Sequence, residues 1–402
     1  MRPTLIGSRR LYAAVQQTMR IAHVRDGEGQ RTETLMKNSP VMPEPQEVAD
    51  CGHRASFERT REYIISYDAL WESMMRCIMG VRWKPSVKQF FLNAPLEILR
   101  MHGLLTQGTW KNGRPHAIQI LYPKRREGLA IRFPDRVYQR SINDNALYPE
   151  MTRHFIAENC ACQKGKGPDY ARALLRKHLW NHYANHGTDG WVLQIDITGY
   201  YPNMRHDKVK ECFGRYLDPE VHGMVCDVLD QQYSGDVGYN PGSQMVQIAG
   251  ISLLNPLDHF IKERLGFRHF IRYMDDFWIL ADTREELESA LEKIEERLLE
   301  YGLTVSAKKT HITKLSEGFR FLGFDYRITE SGKVIMTINP ESVKHERKKL
   351  FRLASLVNKG KLPKSKAIEC YESWRAHADH GNSWRLLNRM DGYFESLFKE
   401  AV

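Results

Sequence analysis

The stretch HFIRYMDDFWIL, His269–Leu280, decides the fold. Two apolar arms flank Met274 and Asp275, so the segment predicts a β-hairpin with a tight turn at that point. Adjacent carboxylates at Asp275 and Asp276 are costly there. Like charges repel, and Phe277, Trp278, Ile279 and Leu280 offer them little water. A divalent cation would remove the conflict. Asp is also a common turn residue, so the pair alone leaves an ordinary turn open.

A second stretch, WVLQIDITGYY at Trp191–Tyr201, changes the balance. Residues 191–197 read as a buried strand carrying Asp196 near its end. If that strand lies beside the hairpin, three carboxylates converge at one sheet edge. Such an edge would suit two hard cations about 4 Å apart.

Outward from these segments the pattern mixes helices and strands. Residues 1–60 lack sustained periodicity and carry Gly27, Gly29, Pro40, Pro43 and Pro45, with one short helix expected around Leu11–Ile21. Helical patterns dominate from Tyr67 to Leu105. A strand is expected at Ala117–Tyr122, a helical stretch from Asp135 to about Ala157, and, after the loop Gly165-Lys166-Gly167-Pro168, a helix to about Tyr183. The clearest helix is 283–301. Thr283 and Glu286 make a capping box, Gly302 sits at the C-terminal cap, and Leu287, Leu291, Ile294 and Leu298 form an apolar stripe. A second hairpin is expected over Phe319–Ile338, turning at Ser331-Gly332. Beyond Pro340 the chain reads as helical and basic, with Lys344, Arg347, Lys348, Lys349 and Arg352. This order of elements suits an α+β fold, an antiparallel sheet backed by helices.

Composition narrows the class. The 402 residues are enough for two or three lobes, and 42% are apolar, enough for a real core. Lys and Arg total 59 against 49 Asp and Glu, an excess of +10 that points weakly to a polyanionic partner. No apolar run reaches the roughly 18 residues needed to span a bilayer, and the N-terminus lacks a secretory pattern. A cytoplasmic protein with no membrane partner is expected. The seven cysteines are scattered and complete no zinc spacing, which suits reduced thiols.

With these blocks in view, Tyr273-Met274-Asp275-Asp276 resembles the Tyr-x-Asp-Asp signature of reverse transcriptases, within a matching hairpin. Further blocks follow the family's order over roughly residues 67–390. Asp196 through Tyr201 resembles the first catalytic block. Pro241-Gly242 through Gln247, continuing to Asn255 and Leu257-Asp258, resembles the block that supports template and incoming base. Its spacing is that of diversity-generating and bacterial "unknown group" enzymes, except that Val246 replaces a serine. Gly302-Leu303 with Lys308-Lys309-Thr310, the hairpin from Phe319 to Phe324, and Pro123-Lys124-Arg125-Arg126 resemble the remaining blocks. Asp135-Arg136 and Gly165-Lys166-Gly167 also match the fingers of the bacterial enzymes.

The resemblance implies a right-hand polymerase with fingers, an antiparallel-sheet palm and a helical thumb. Residues 1–60 would be an extension, 61–190 fingers, 191–330 palm interleaved with the fingers, and 331–402 thumb. Trp374, Trp384, Tyr393 and Phe394 would form the thumb core. By the same resemblance Asp196, Ile197, Asp275 and Asp276 hold two Mg2+ ions, with Mn2+ as a substitute. Lys309 is the general acid on pyrophosphate. Tyr201 is the steric gate against a 2′-hydroxyl, and Lys124 and Arg126 clamp the triphosphate. Gly242, Gln247 and Tyr273 complete the substrate site. The implied activity is RNA-directed DNA synthesis on an RNA template, with a DNA primer or product and dNTPs. A dedicated noncoding RNA and anti-phage defence are the expected setting, with an accessory protein or self-association as further partners. A diversity-generating element, untemplated or protein-primed synthesis, and an inactive RNA-binding scaffold are the alternatives. No endonuclease, ribonuclease H or protease block is expected after the thumb.

Overall fold

The computed structural model describes residues 59–120, 126–240 and 242–398. The expected extension up to residue 58, with the helix around Leu11–Ile21, and Lys124 therefore lie outside the described residues. Contacts divide the chain into two units that interleave along the sequence. One takes in the chain up to His154 and resumes at Arg205–Ser252; the other is Phe155–Met204 and Leu253 onward.

The first unit is mostly helical. Helices Tyr67–Cys77, Ala94–Thr106 and Phe133–Ile142 (α1) bury Leu70, Met74, Ile98, Val137 and Ile142. Strands His116–Ile120 (β1) and Arg126–Ala130 (β2) pair antiparallel, Ile118 opposite Gly128. Asp135 is fully buried at the start of α1, gripped by both oxygens in the Arg132 guanidinium and by the Gly113 N–H. The helix expected to reach Ala157 stops at Thr152, after a widened π turn over Asn143–Leu147. Pro149 offers no N–H to the fourth residue before it, and a wider turn accommodates that gap. Beyond it, Glu158 and Cys160 commit their main chains to Arg272 instead of to a helix.

In the second unit, strands Trp191–Asp196 (β3), His269–Tyr273 (β4), Asp276–Ala281 (β5) and His311–Lys314 (β6) form one antiparallel sheet in the order β4-β5-β3-β6. Helices Pro168–His186 (α2) and Arg284–Glu300 (α3) back it. Val192, Leu193, Ile195, Phe270, Ile271, Phe277, Trp278 and Ile279 are buried, which explains why these strands read as nearly continuous apolar runs. At α3 the Thr283 hydroxyl accepts from the Glu286 N–H. The fully buried stripe is Leu287, Ala290, Ile294 and Leu298, with Leu291 only half-buried.

A separate sheet holds three strands where one hairpin was expected: Phe319–Phe321 (β7), Phe324–Ile328 (β8) and Val334–Ile338 (β9). The extra reversal lies at Leu322 and Gly323, with φ of 46° and 85°. Positive φ at both central residues is what a two-residue hairpin turn needs. A leucine there hides the signal. Helices Pro340–Asn358 (α4), Lys364–Asp379 (α5) and Trp384–Leu397 (α6) close over this sheet, burying Leu350, Tyr371, Trp374, Leu387 and Met390 with Phe321 and Phe324. Trp384, expected in that core, is 73% exposed because it opens α6 on its outer side. No helix among the described residues is long and apolar enough to cross a membrane.

Candidate active site

Asp196 closes β3 and Asp276 opens β5, and the two stand directly opposite each other in the ladder. Opposed residues of an antiparallel pair share a face, with Cβ atoms roughly 5 Å apart. Asp276 is also opposite Tyr273 on β4, and Asp275 lies in the turn between them. Met274 reverses the chain with φ of 60°.

That strained turn is held from below by a fully buried arginine. Arg272 donates from Nε and Nη2 to the two carboxylate oxygens of Asp258, each at 2.5 Å, and from Nη1 to the Met274 carbonyl at 2.9 Å. Both side chains of the ion pair are 0% exposed. The Arg272 main chain bonds Glu158 and Cys160. Sequence reasoning missed this pair. The available signal was an arginine inside an otherwise apolar arm, which demands a buried acid somewhere in the chain.

The segment 304–310 wraps the end of β3. Thr198 N–H donates to Thr304, Ser306 N–H to the Asp196 carbonyl, and Ile197 bridges Val305. Lys309 Nζ then lies 2.7 and 2.9 Å from the two Asp196 carboxylate oxygens. That hydrogen bond holds the Lys309 ammonium above the usual lysine range. Lys309 is mostly exposed, so the pair adds little stability.

Burial, then the Asp196 charge, push the Asp275 carboxyl up. Asp276 reaches the surface, yet the protein packed around it, then Asp275 and Asp196, push its carboxyl up to about 7. Water at that exposed edge screens part of the repulsion, so the clustering of three acids matters more than the figure. Tyr201 is half-buried close by; burial, then Cys162 and Asp275, raise its phenol. The exposed Cys162 Sγ lies 3.6 Å from Met274 Sδ.

Residues 135–326 match the family model for reverse transcriptase (RNA-dependent DNA polymerase). This segment is a reverse transcriptase domain. It makes the chain an RNA-directed DNA polymerase, a nucleotidyltransferase that takes an RNA template, a primer and dNTPs and uses divalent metal ions. Comparison with curated proteins gives no match.

The reverse transcriptase domain contains all three carboxylates, and their chemistry fits a divalent cation. Three clustered acids face one lysine, and carboxylate oxygens are hard donors. One of the three, Asp196, is engaged by Lys309. The Ile197 side chain is buried and carries no donor atom, so only its backbone carbonyl could ligate.

Other expected site residues stand in the first unit. Arg126 opens β2. Gly242 sits where a Cβ would come within 2.5 Å of the Leu129 carbonyl oxygen, so a backbone approach excludes any side chain there. Gln247 is exposed on the helix Gln244–Ser252, and Val246, standing in place of the serine, is fully buried in the same helix. Lys166 is anchored within the second unit, its Nζ donating to the carbonyls of Ile156 and Asn159. That lysine shapes its own loop.

Proposed function

We propose that the chain copies RNA into DNA at the edge formed by Asp196, Asp275 and Asp276. The observation that carries this reading is the register of β3 against β5, with Asp196 opposite Asp276 beside the Met274–Asp275 turn. In this reading Asp196, the Ile197 carbonyl, Asp275 and Asp276 hold two Mg2+ ions, or Mn2+ in their place. Bound there, the ions would acidify the primer 3′-hydroxyl and stabilise charge on the leaving pyrophosphate. The primer 3′-oxygen bonds the α-phosphorus as the bond to pyrophosphate breaks. Lys309 gives its proton to the departing pyrophosphate, a role for which its ammonium beside Asp196 is suited.

Tyr201 packs beneath the sugar and rejects a 2′-hydroxyl, which fits its half-buried place near Asp275. Tyr273, opposite Asp276, borders the same site. Lys124 and Arg126 clamp the triphosphate, and Gly242 and Gln247 support the base pair. Residues 61–190 act as fingers, 191–330 as palm and 331–402 as thumb. Exposed Lys344, Arg347, Lys348 and Arg352 on α4 track backbone phosphates. We place the enzyme with a dedicated noncoding RNA in bacterial anti-phage defence rather than in a diversity-generating element, since Val246 replaces that subgroup's serine.

The test is to purify the protein with its co-expressed nucleic acid, add Mg2+ and labelled dNTPs, and sequence the product. A product complementary to a bound RNA is expected and would identify the template. A homopolymer or random product would replace this reading with untemplated synthesis. RNA binding with no product would reduce the protein to a scaffold.

A further inference from the structure

A second polar cluster lies at the opposite end of the sheet strands from the carboxylates. His182 and His186 stand one turn apart near the C-terminus of α2, and Asp282 follows β5. The ligand atoms of these three side chains all lie within 4.8 Å of one another. His186 Nδ1 is 3.4 Å and His182 Nδ1 3.7 Å from Asp282 Oδ1. These separations are long for hydrogen bonds. They are close to the spacing of neighbouring ligands around tetrahedral zinc, where bonds of about 2.0–2.1 Å put ligand atoms roughly 3.3 Å apart.

Two further observations point the same way. His182 is buried, and its Nε2 lies 2.5 Å from the Asp189 carbonyl oxygen, which can only accept. With Nε2 donating to that carbonyl, it is Nδ1 that faces Asp282 and is placed to bind a cation. A ring nitrogen donating to a backbone carbonyl is also the usual way a metal-binding histidine is oriented. The turn after α2 is shaped around this ring: at Gly190, φ 133°, a Cβ would meet His182 Nε2 at 2.6 Å. The partial negative charge at the end of α2 also favours a cation.

We propose that His182, His186 and Asp282 form a binding site for a transition-metal ion of the Zn2+ class, separate from the catalytic carboxylates. Two imidazoles and one carboxylate select Zn2+ over Mg2+, which prefers oxygen alone. The ion ties the end of α2 to the exit of β5 and the start of α3. The site opens into a cleft of about 740 Å3 lined by Glu285 and Glu286, so the fourth position is left to water or one of these acids. His186 and Asp282 are partly exposed, which leaves the ion exchangeable.

The test uses full-length protein stripped with a chelator and held in excess Mg2+, which occupies the carboxylate site. Zn2+ is titrated against a fluorescent competitor, Co2+ is followed by its visible absorption, and Tm is measured with and without Zn2+. One Zn2+ per chain and a rise in Tm are expected. His186→Ala and Asp282→Asn should each weaken binding by about tenfold or more and abolish the Co2+ band. The Asp275→Asn/Asp276→Asn double variant should bind as tightly as the parent, which separates this site from the catalytic one. No bound Zn2+ in the parent, unchanged affinity in both site variants, or loss of binding in the catalytic variant would each overturn the proposal. If the parent binds no metal but its Tm depends on histidine protonation, the cation is a proton and the metal site is refuted.

Discussion

Removing Asp258 should be among the most damaging single changes in the molecule. Its carboxylate and the Arg272 guanidinium are both 0% exposed, joined by two bonds of 2.5 Å. Asp258→Ala leaves a full positive charge in the core without its carboxylate, and breaking such a pair costs about 3–5 kcal/mol. The second unit has roughly 200 residues. For that size each kcal/mol moves Tm by about 2–4 °C, so Tm should fall by roughly 6–20 °C. Replacing both groups, Arg272→Leu with Asp258→Ala, removes the buried charge and should recover much of the loss. The coupling should be positive and on the order of 2 kcal/mol. Thermal melts of metal-free protein followed by circular dichroism measure this, and primer extension on the same samples adds a second readout. The double variant still lacks the Arg272 bond to the Met274 carbonyl, so it should be more stable than either single variant yet remain a poor polymerase. A Tm shift under about 2 °C for Asp258→Ala, or strictly additive effects, would refute the burial argument.

Three further outcomes follow from particular contacts. Gly242→Ala places a Cβ 2.5 Å from the Leu129 carbonyl oxygen; the backbone must shift, and chemical denaturation should show a loss of about 1–3 kcal/mol. Lys309→Met frees Asp196 from its ammonium partner; Mn2+ should bind the nucleotide-free enzyme more tightly, by titration, while turnover falls. His178 is buried, and that burial, then His269, pushes its ring down to about 4 from 6.5. A depressed folded value means the stability is present above about 6.5 and is lost as pH falls toward 4. The shift corresponds to about 3.5 kcal/mol at 1.4 kcal/mol per unit, and His178→Phe should flatten that part of the Tm–pH curve.

What the sequence made legible was local. The two apolar arms of HFIRYMDDFWIL flank a turn that only a reversal can satisfy, and the ladder pairs Tyr273 with Asp276 as a hairpin requires. The Thr283 cap of α3 is equally local, since donor and acceptor lie three residues apart. The unread features depend on distant partners or on unusual backbone. Arg272 looks like an intrusion in an apolar strand until Asp258, fourteen residues away, is seen to neutralise it. Leu322 adopts a left-handed conformation that leucine rarely signals, so one hairpin became three strands. Lys166 sits in a glycine-flanked loop that resembles the fingers of the bacterial enzymes, and its ammonium donates to carbonyls of its own unit. The zinc-type cluster escaped because Asp282 lies nearly a hundred residues beyond His186, with no motif linking them.

The central claim is that Asp275 and Asp276, opposite Asp196, carry the chemistry. The most direct measurement is primer extension with labelled dNTPs and Mg2+ by the Asp275→Asn/Asp276→Asn variant, with RNA binding and Tm measured on the same preparation. Removing two crowded charges should leave Tm equal or higher and RNA binding intact, while incorporation drops to background. Incorporation at the parental rate by the folded variant would contradict the account and move the active site elsewhere in the chain.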